Sequence, residues 1–467
     1  MAAILALSVI PAHAQFSIGS GKVDELFQVL CATCHGKQME GGSAPSLLDD
    51  TWLVGGDDAS IASAIREGIP GTEMVAYKAL LSEDQIRSLV IYIRENRLLH
   101  EQGNLLEKIT PQEGVITSEH HPFEVDTVFD GSGTFWSLDW LPDGSMLITE
   151  KSGSLLHVMA DGRVQTIEGT PAVWDRGQGG MLEVQLHPNY AENGWIYLAY
   201  SRSHDNGDTG LTSIQRGRIR EGAWVDSQMI FDPSPEFHTS ARHHFGTRLV
   251  FSDGYLFFSI GDRGDMETAQ DLTLPNGKMH RIHDDGRIPE DNPFADMDGS
   301  FPSIWSYGHR NPQGIDLDPR DGRLWITEHG PRGGDETNLV KPGLNYGWPV
   351  ITYGMNYNGT PITDKTEMDG MEQPKLYWTP SIAVCGIDFY EGDVFPEWKH
   401  NLFVGGLASE QVHRLVIEEG EVVHEEIILK NEGRVRDVAS GPDGRLYLVL
   451  NGGPSSGSRI VRLNPAN

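Results

Sequence analysis

The sequence predicts an all-β six-bladed β-propeller preceded by a small all-α domain. Three observations lead there. An apolar strand, a Pro/Asp/Asn/Gly turn and a second apolar strand recur six times after residue 121. Helical periodicity is confined to residues 20–100, and a Cys-x-x-Cys-His motif lies inside that stretch. Short strands with frequent turns, supplied here by 54 Gly and 26 Pro, argue for repeated β units.

The chain has 467 residues, 38% apolar and 22% charged, which is enough to bury a large core and excludes disorder as the dominant state. Its 36 basic and 67 acidic side chains leave a net charge of −31, which repels phosphates and excludes nucleic acid as a partner. Residues 2–12 form an apolar run before Ala12-His13-Ala14, a small-x-small cleavage pattern, so residues 1–14 read as a signal peptide. No Lys or Arg precedes Lys22, which is atypical of such a segment. The run is shorter than the about 20 residues a membrane helix requires. The expectation is a periplasmic or secreted protein that is not integral to a membrane.

Within the helical part, Val23, Leu26, Phe27 and Leu30 form a stripe leading into Cys31-Ala32-Thr33-Cys34-His35. Two thiols at this spacing followed by His attach a c-type haem, with the imidazole placed under the iron. Ser82 before Glu83-Asp84-Gln85, then Ile86, Leu89, Val90 and Ile93, predicts an N-capped helix. Between them, Gly68 to Met74 is a turn that brings a thioether toward the open face of the haem. His/Met ligation fills both axial positions and suits electron transfer. Met39, four residues past His35, is too close in the chain to reach the opposite face easily. Residues 20–100 resemble a small class I cytochrome c, which implies haem c with His35 and Met74 as axial ligands. Cys385, alone in a strand-like run, reads as a buried inert thiol.

Residues 101–120 are polar, with Pro111 and Gly114 as breakers, and read as a linker. The six repeats begin at Leu138, Val184, Leu249, Ile315, Ile387 and Val438, about 58 residues per copy over residues 121–467. Units of this size fit four-stranded blades around a channel. Long amphipathic helices, needed by an α/β barrel, are missing. In a propeller, loops distant in sequence converge at one channel mouth.

Several loops after the repeats hold dense polar clusters: Arg176 to Gly180, Arg242 to Arg248, Gly261 to Asp265, Tyr307 to Gly314, Glu328 to Glu336 and Gly433 to Asp437. A His with an Asp at hand serves as an oriented general base. Arg side chains on separate loops bind a planar polycarboxylate. A Gly-Pro turn near carboxylates offers oxygen ligands to calcium.

The strings RHHFGTRL, GHRNPQG, EHGPRGGDE, NYGWP and GRVRD resemble the soluble pyrroloquinoline quinone (PQQ)-dependent sugar dehydrogenases, over about residues 121–467. The resemblance implies His244 as general base, Asp262 as its supporting carboxylate and Gln178 on the substrate side. It implies Arg310, Asn311, Arg434 and Arg436 as cofactor contacts, with Arg310 also stabilising charge on the quinone. It further implies the carbonyls of Gly330 and Pro331 as ligands of a catalytic calcium, and Glu336 and Tyr346 at a structural calcium. Glucose-oxidising members place a Lys on the strand matching Val404 to Gln411; this chain has neither Lys nor Arg there. The expected activity is oxidation of an aldose to its lactone, with electrons passing to the haem and then to an external cytochrome or oxidase. Two other functions fit the residues less fully, a non-enzymatic binding propeller and a PQQ dehydrogenase of a non-sugar alcohol or aldehyde.

Overall fold

The computed structural model describes residues 21–104, 114–204, 207–452 and 457–466. The signal-peptide reading of residues 1–14 lies outside them. The chain divides into two compact units, a helical one reaching Arg97 and including Tyr357–Pro361, and a second made of Leu98–Asn356 and Ile362–Asn467.

The helical unit contains α1 (Val23–Leu30), α2 (Ala32–His35), α3 (Asp58–Glu67) and, as far as Arg97, α4 (Glu83–Asn104). α1 buries Val23, Leu26 and Phe27, the predicted stripe. Ser82 N–H donates to Gln85 Oε1 at 3.1 Å, the reciprocal arm of a capping box at the start of α4. α3 is not marked by the sequence pattern, because only Ile61 and Ile65 face inward. It is started by Asp57, whose Oδ1 accepts from Ser60 N at 2.9 Å.

The stretch 101–120, expected to be a linker, carries regular structure at both ends. α4 continues to Asn104, and Ile116–Thr117 already pairs with Pro122–Gly131. Only residues 105–113 of that stretch lie outside the described ones.

The second unit is six antiparallel sheets. The six repeat strings fall on the first two strands of each blade: Phe135–Trp140 with Met146–Glu150, Met181–Leu186 with Ile196–Arg202, and Leu249–Ser252 with Tyr255–Ile260. The series continues with Pro312–Leu317 and Leu324–Glu328, Val384–Phe389 and Leu402–Gly406, and Arg434–Ser440 and Leu446–Asn451. First strands of successive blades are neighbours all the way round, and Arg434–Ser440 lies beside Phe135–Trp140. The ring is locked because Pro122–Gly131 pairs with the C-terminal Ser458–Pro465, so the last blade contains both ends of the unit. Closure leaves no open inner edge.

Apolar side chains fill the wedges between blades; Tyr197 and Leu211 of the second blade pack with Leu256 and Phe258 of the third. Inner-strand carboxylates staple neighbouring blades. Asp139 accepts from Leu186 N at 2.7 Å, Asp316 from Phe389 N at 2.6 Å, and Asp388 from Ser440 N at 3.0 Å. Among the described residues, no helix is long and apolar enough to cross a membrane.

Candidate active site and haem pocket

His244 leaves the loop entering the third blade with φ +57°, in the left-handed region that costs a non-glycine residue about 1–3 kcal/mol. Surrounding contacts hold it there. Its N–H donates to Gln178 Oε1 at 2.8 Å, and its Nδ1 lies 2.5 Å from Asp262 Oδ1. Arg263, behind the loop, donates to the carbonyls of Ala241 and His243. Gly261 permits the close approach, since a Cβ there would sit 2.6 Å from the His244 carbonyl and 2.7 Å from Asn311 Oδ1. Asn311 Oδ1 also accepts from Gly246 N at 3.1 Å, fixing the same turn.

Burial pushes the His244 imidazole down to about 4, and Arg310 adds to that; the Asp262 hydrogen bond opposes it. His244 is therefore neutral near pH 7. With Nδ1 facing Asp262, Nε2 is left as a proton acceptor. Asp262 is buried, which alone would raise it, but hydrogen bonding to His244 and the charge of Arg310 hold it below the usual carboxylate range.

Arg310 donates through Nη1 to the carbonyls of His329 and Gly330, each at 2.9 Å. Arg436 donates to Asn451 Oδ1 at 3.1 Å and lies over the Trp136 ring at 4.3 Å. His329 is held well below its ordinary value by burial and by the charges of Arg310, His244, Arg436 and Arg434. Hydrogen bonds join Gln178, Asp262 and Asn311 to the His244 turn, and Arg310 acts on His244. Gln313 lies between His329 and Arg436, so these loops, far apart in the chain, form one basic cup in which Arg434 also acts on His329.

Below Arg310 lies a cavity of about 20 Å³, room for one water-sized occupant, lined in part by Glu328, Gly330, Glu336 and Tyr346. Glu328 and Glu336 are cross-strand partners. Burial and the neighbouring Glu328 push the Glu336 carboxyl up to about 8, the signature of two crowded carboxylates without enough positive charge. The Asn338 amide bridges them, at 3.1 Å to each. Glu328 and Glu336 offer the oxygen atoms a hard cation such as calcium takes, but Arg310 also lines this cavity, and among the described residues no three His, Cys, Asp or Glu side chains cluster to hold a metal ion. Gly330, Glu336 and Tyr346 thus border one cavity, and Pro331 is not in its lining. The Tyr346 hydroxyl is committed elsewhere, donating to Leu339 O and accepting from Lys341 N.

In the helical unit, Cys31, Cys34, His35 and Met74 line one predominantly apolar cavity of about 230 Å³, together with Phe27, Leu30 and Leu89 among others. His35 Nδ1 is paired with Pro45 O at 3.0 Å, which directs Nε2 inward. Ile69 N donates to Met74 O at 3.0 Å and Met74 N to Thr72 Oγ1 at 3.1 Å, so the Met74 loop is pinned. Met39 is buried outside this cavity. An apolar slot bounded by two thiols, an oriented imidazole and a thioether fits a c-type haem.

Three residues with no role assigned from the sequence stand in the cup. Gln313 Oε1 lies 3.3 Å from both His329 Nε2 and Cys385 Sγ, and Cys385 is buried. Trp348 donates to Asp262 Oδ2 at 2.9 Å. Gln313, His329 and Trp348 lie in the motif strings, but only the fold shows what they touch.

An imidazole–carboxylate pair in an arginine-lined cup and a haem-attachment motif on one chain define the class, an oxidoreductase that carries a cytochrome c-type domain. Residues 133–462 match the family model described as Glucose / Sorbosone dehydrogenase, and the chain belongs to that family. Residues 22–93 match Cytochrome C oxidase, cbb3-type, subunit III. Aldose sugar dehydrogenase YliI of Escherichia coli is 40% identical over 377 residues, covering 79% of this chain and 100% of that protein. Quinoprotein glucose dehydrogenase B of Acinetobacter calcoaceticus is 26% identical over 398 residues, covering 67% and 82%. The solved PQQ-bound form of an aldose sugar dehydrogenase from Streptomyces coelicolor has a TM-score of 0.59 at 26% identity, covering 76% of this chain and 100% of that one.

Proposed function

We propose that this protein is a periplasmic quinohaemoprotein that oxidises an aldose at the anomeric carbon to its lactone and passes the electrons to its own haem c. The observation that carries the reading is the His244–Asp262 pair beside Arg310 in one basic cup. PQQ, when bound, supplies the two-electron acceptor for the hydride leaving the sugar carbon. Arg434, Arg436, Asn311 and Arg310 would hold its carboxylates and carbonyls, the bidentate chemistry guanidinium provides. Gln178 stands on the substrate side. Gly330 and Pro331 would offer carbonyls to a catalytic calcium, and Glu336 and Tyr346 would serve a second, structural calcium.

The chain's own residues do the rest. His244 Nε2 takes the proton from the anomeric hydroxyl, and Asp262 stabilises the imidazolium that results. Arg310 supplies fixed positive charge where negative charge develops. The absence of a Lys along Val404 to Gln411 removes one cofactor contact expected of glucose-oxidising members, which points to weaker PQQ binding or a different sugar preference.

Cys31 and Cys34 would bind the haem covalently, with His35 and Met74 on its two faces. One chain carrying both sites gives the haem a high effective concentration as acceptor. An external cytochrome or oxidase would then take the electrons.

The test is reconstitution of the haem-loaded protein with PQQ and calcium, followed by an aldose panel under stopped flow. The expected result is reduction of the haem absorbance by at least one aldose, lost when calcium is chelated. A haem that stays oxidised while sugar is consumed refutes the internal transfer.

A further inference from the structure

The NYGWP string contributes more than Tyr346. Trp348 is buried, and its Nε1–H donates to Asp262 Oδ2 at 2.9 Å. The other carboxylate oxygen, Oδ1, receives His244 Nδ1 and the Gly264 N–H at 2.7 Å. Trp348 is itself clamped. Its N–H donates to Gly308 O at 2.9 Å, and its carbonyl accepts from Gln270 Nε2 at 2.7 Å. Gln270 and Asn345 pair through both amide groups, at 3.0 and 2.8 Å. The Arg310 guanidinium lies 5.4 Å from the centre of the indole. One rigid side chain therefore touches both the carboxylate behind the imidazole and the cation beside it.

We propose that Trp348 is a positioning residue, fixing Asp262 as the acceptor for His244 Nδ1 so that Nε2 is turned to the substrate. This inference rests on the reading of His244 as the base. Two oxygens held from opposite sides cannot rotate, and an imidazole bonded to one of them inherits that orientation. Besides Asp262, the ionisable groups facing His244 are Arg310, His243 and His329.

Trp348→Phe removes the N–H and keeps an aromatic ring. Without that donor, the charge on Asp262 is less shared and favours the imidazolium more strongly. The titration midpoint of His244, followed by histidine NMR on the full chain without added cofactor, should rise by about half a unit to one unit. In the reconstituted enzyme, kcat should fall about ten- to a hundredfold with KM changed by less than about twofold. An unchanged midpoint overturns the proposal. Should the variant fail to fold, the wild-type chain decides: the Trp348 indole N–H resonance should shift with the midpoint of His244, and a flat resonance overturns it. A base assigned to the wrong residue shows up separately, as unchanged turnover in His244→Ala.

Discussion

The haem pocket and the propeller cup are built by opposite uses of the chain. In the pocket, three of the four key side chains fall within Cys31 to His35, and the fourth, Met74, is fixed by a short hydrogen-bonded loop. The walls are mostly apolar, and covalent attachment would anchor the cofactor. In the cup, Gln178, His244, Asp262, Arg310 and Arg436 come from separate loops and meet only because the ring closes. Its character is set by burial and charge: burial, reinforced by the guanidinium groups, lowers both His244 and His329. A local motif can form its site within one small unit. A distributed site depends on every blade between its members.

The largest effect should separate the two regions cleanly. His244→Ala removes the proton acceptor and should lower kcat about 10²–10⁴-fold in steady-state sugar oxidation. The haem absorbance of the same variant should match wild type, because no haem-pocket residue is touched. Turnover within a factor of two of wild type would sink the base assignment.

The converse variant is Met74→Ala. Loss of the thioether should lower the haem potential, since His/Met ligation raises it. Each 59 mV lost weakens the equilibrium for accepting one electron about tenfold. Sugar oxidation assayed with an artificial acceptor should change less than about twofold, while haem reduction by sugar slows in step with the potential measured by redox titration. An unaltered potential would reassign the sixth ligand.

What the sequence made legible follows the same division. The repeat strings mark the first two strands of each blade because apolar runs flank a Pro/Asp/Asn/Gly turn there, as at Leu324–Glu328, in which all five residues are buried. Third strands such as Lys278–His283 are buried as well but carry Lys, His and Arg. Outer strands such as Val164–Thr166 are exposed along their whole length and leave no apolar signal. The haem motif was readable because its chemistry is contiguous. In the cup, residue types were readable but contacts were not: Trp348 and Asp262 are 86 residues apart, and nothing in NYGWP announces a bond to GDRGD. The family resemblance implies two cation sites, one at Gly330 and Pro331 and one at Glu336 and Tyr346; in the fold Gly330, Glu336 and Tyr346 border one small cavity.

The smallest expected effect probes the scaffold that brings the cup together. Asp139 staples the first blade to the second through Leu186 N, and burial pushes its carboxyl up to about 6. A carboxylate raised in the folded state binds a proton that the unfolded chain releases, so its ionisation costs stability. That cost is absent below the unfolded value, grows as pH rises toward about 6, and is constant above it. Asp139→Asn keeps an acceptor for Leu186 N without the charge. By denaturant unfolding of the propeller, it should be about 1 kcal/mol more stable than wild type at pH 7.5, after allowing for the weaker hydrogen bond of a neutral acceptor. The advantage should shrink as pH falls through 6 toward 4, while the helical unit, which does not contain the staple, unfolds alike in both proteins. A pH-independent difference would mean that Asp139 ionises in the fold as it does in the unfolded chain, so that burial of its charge costs no stability.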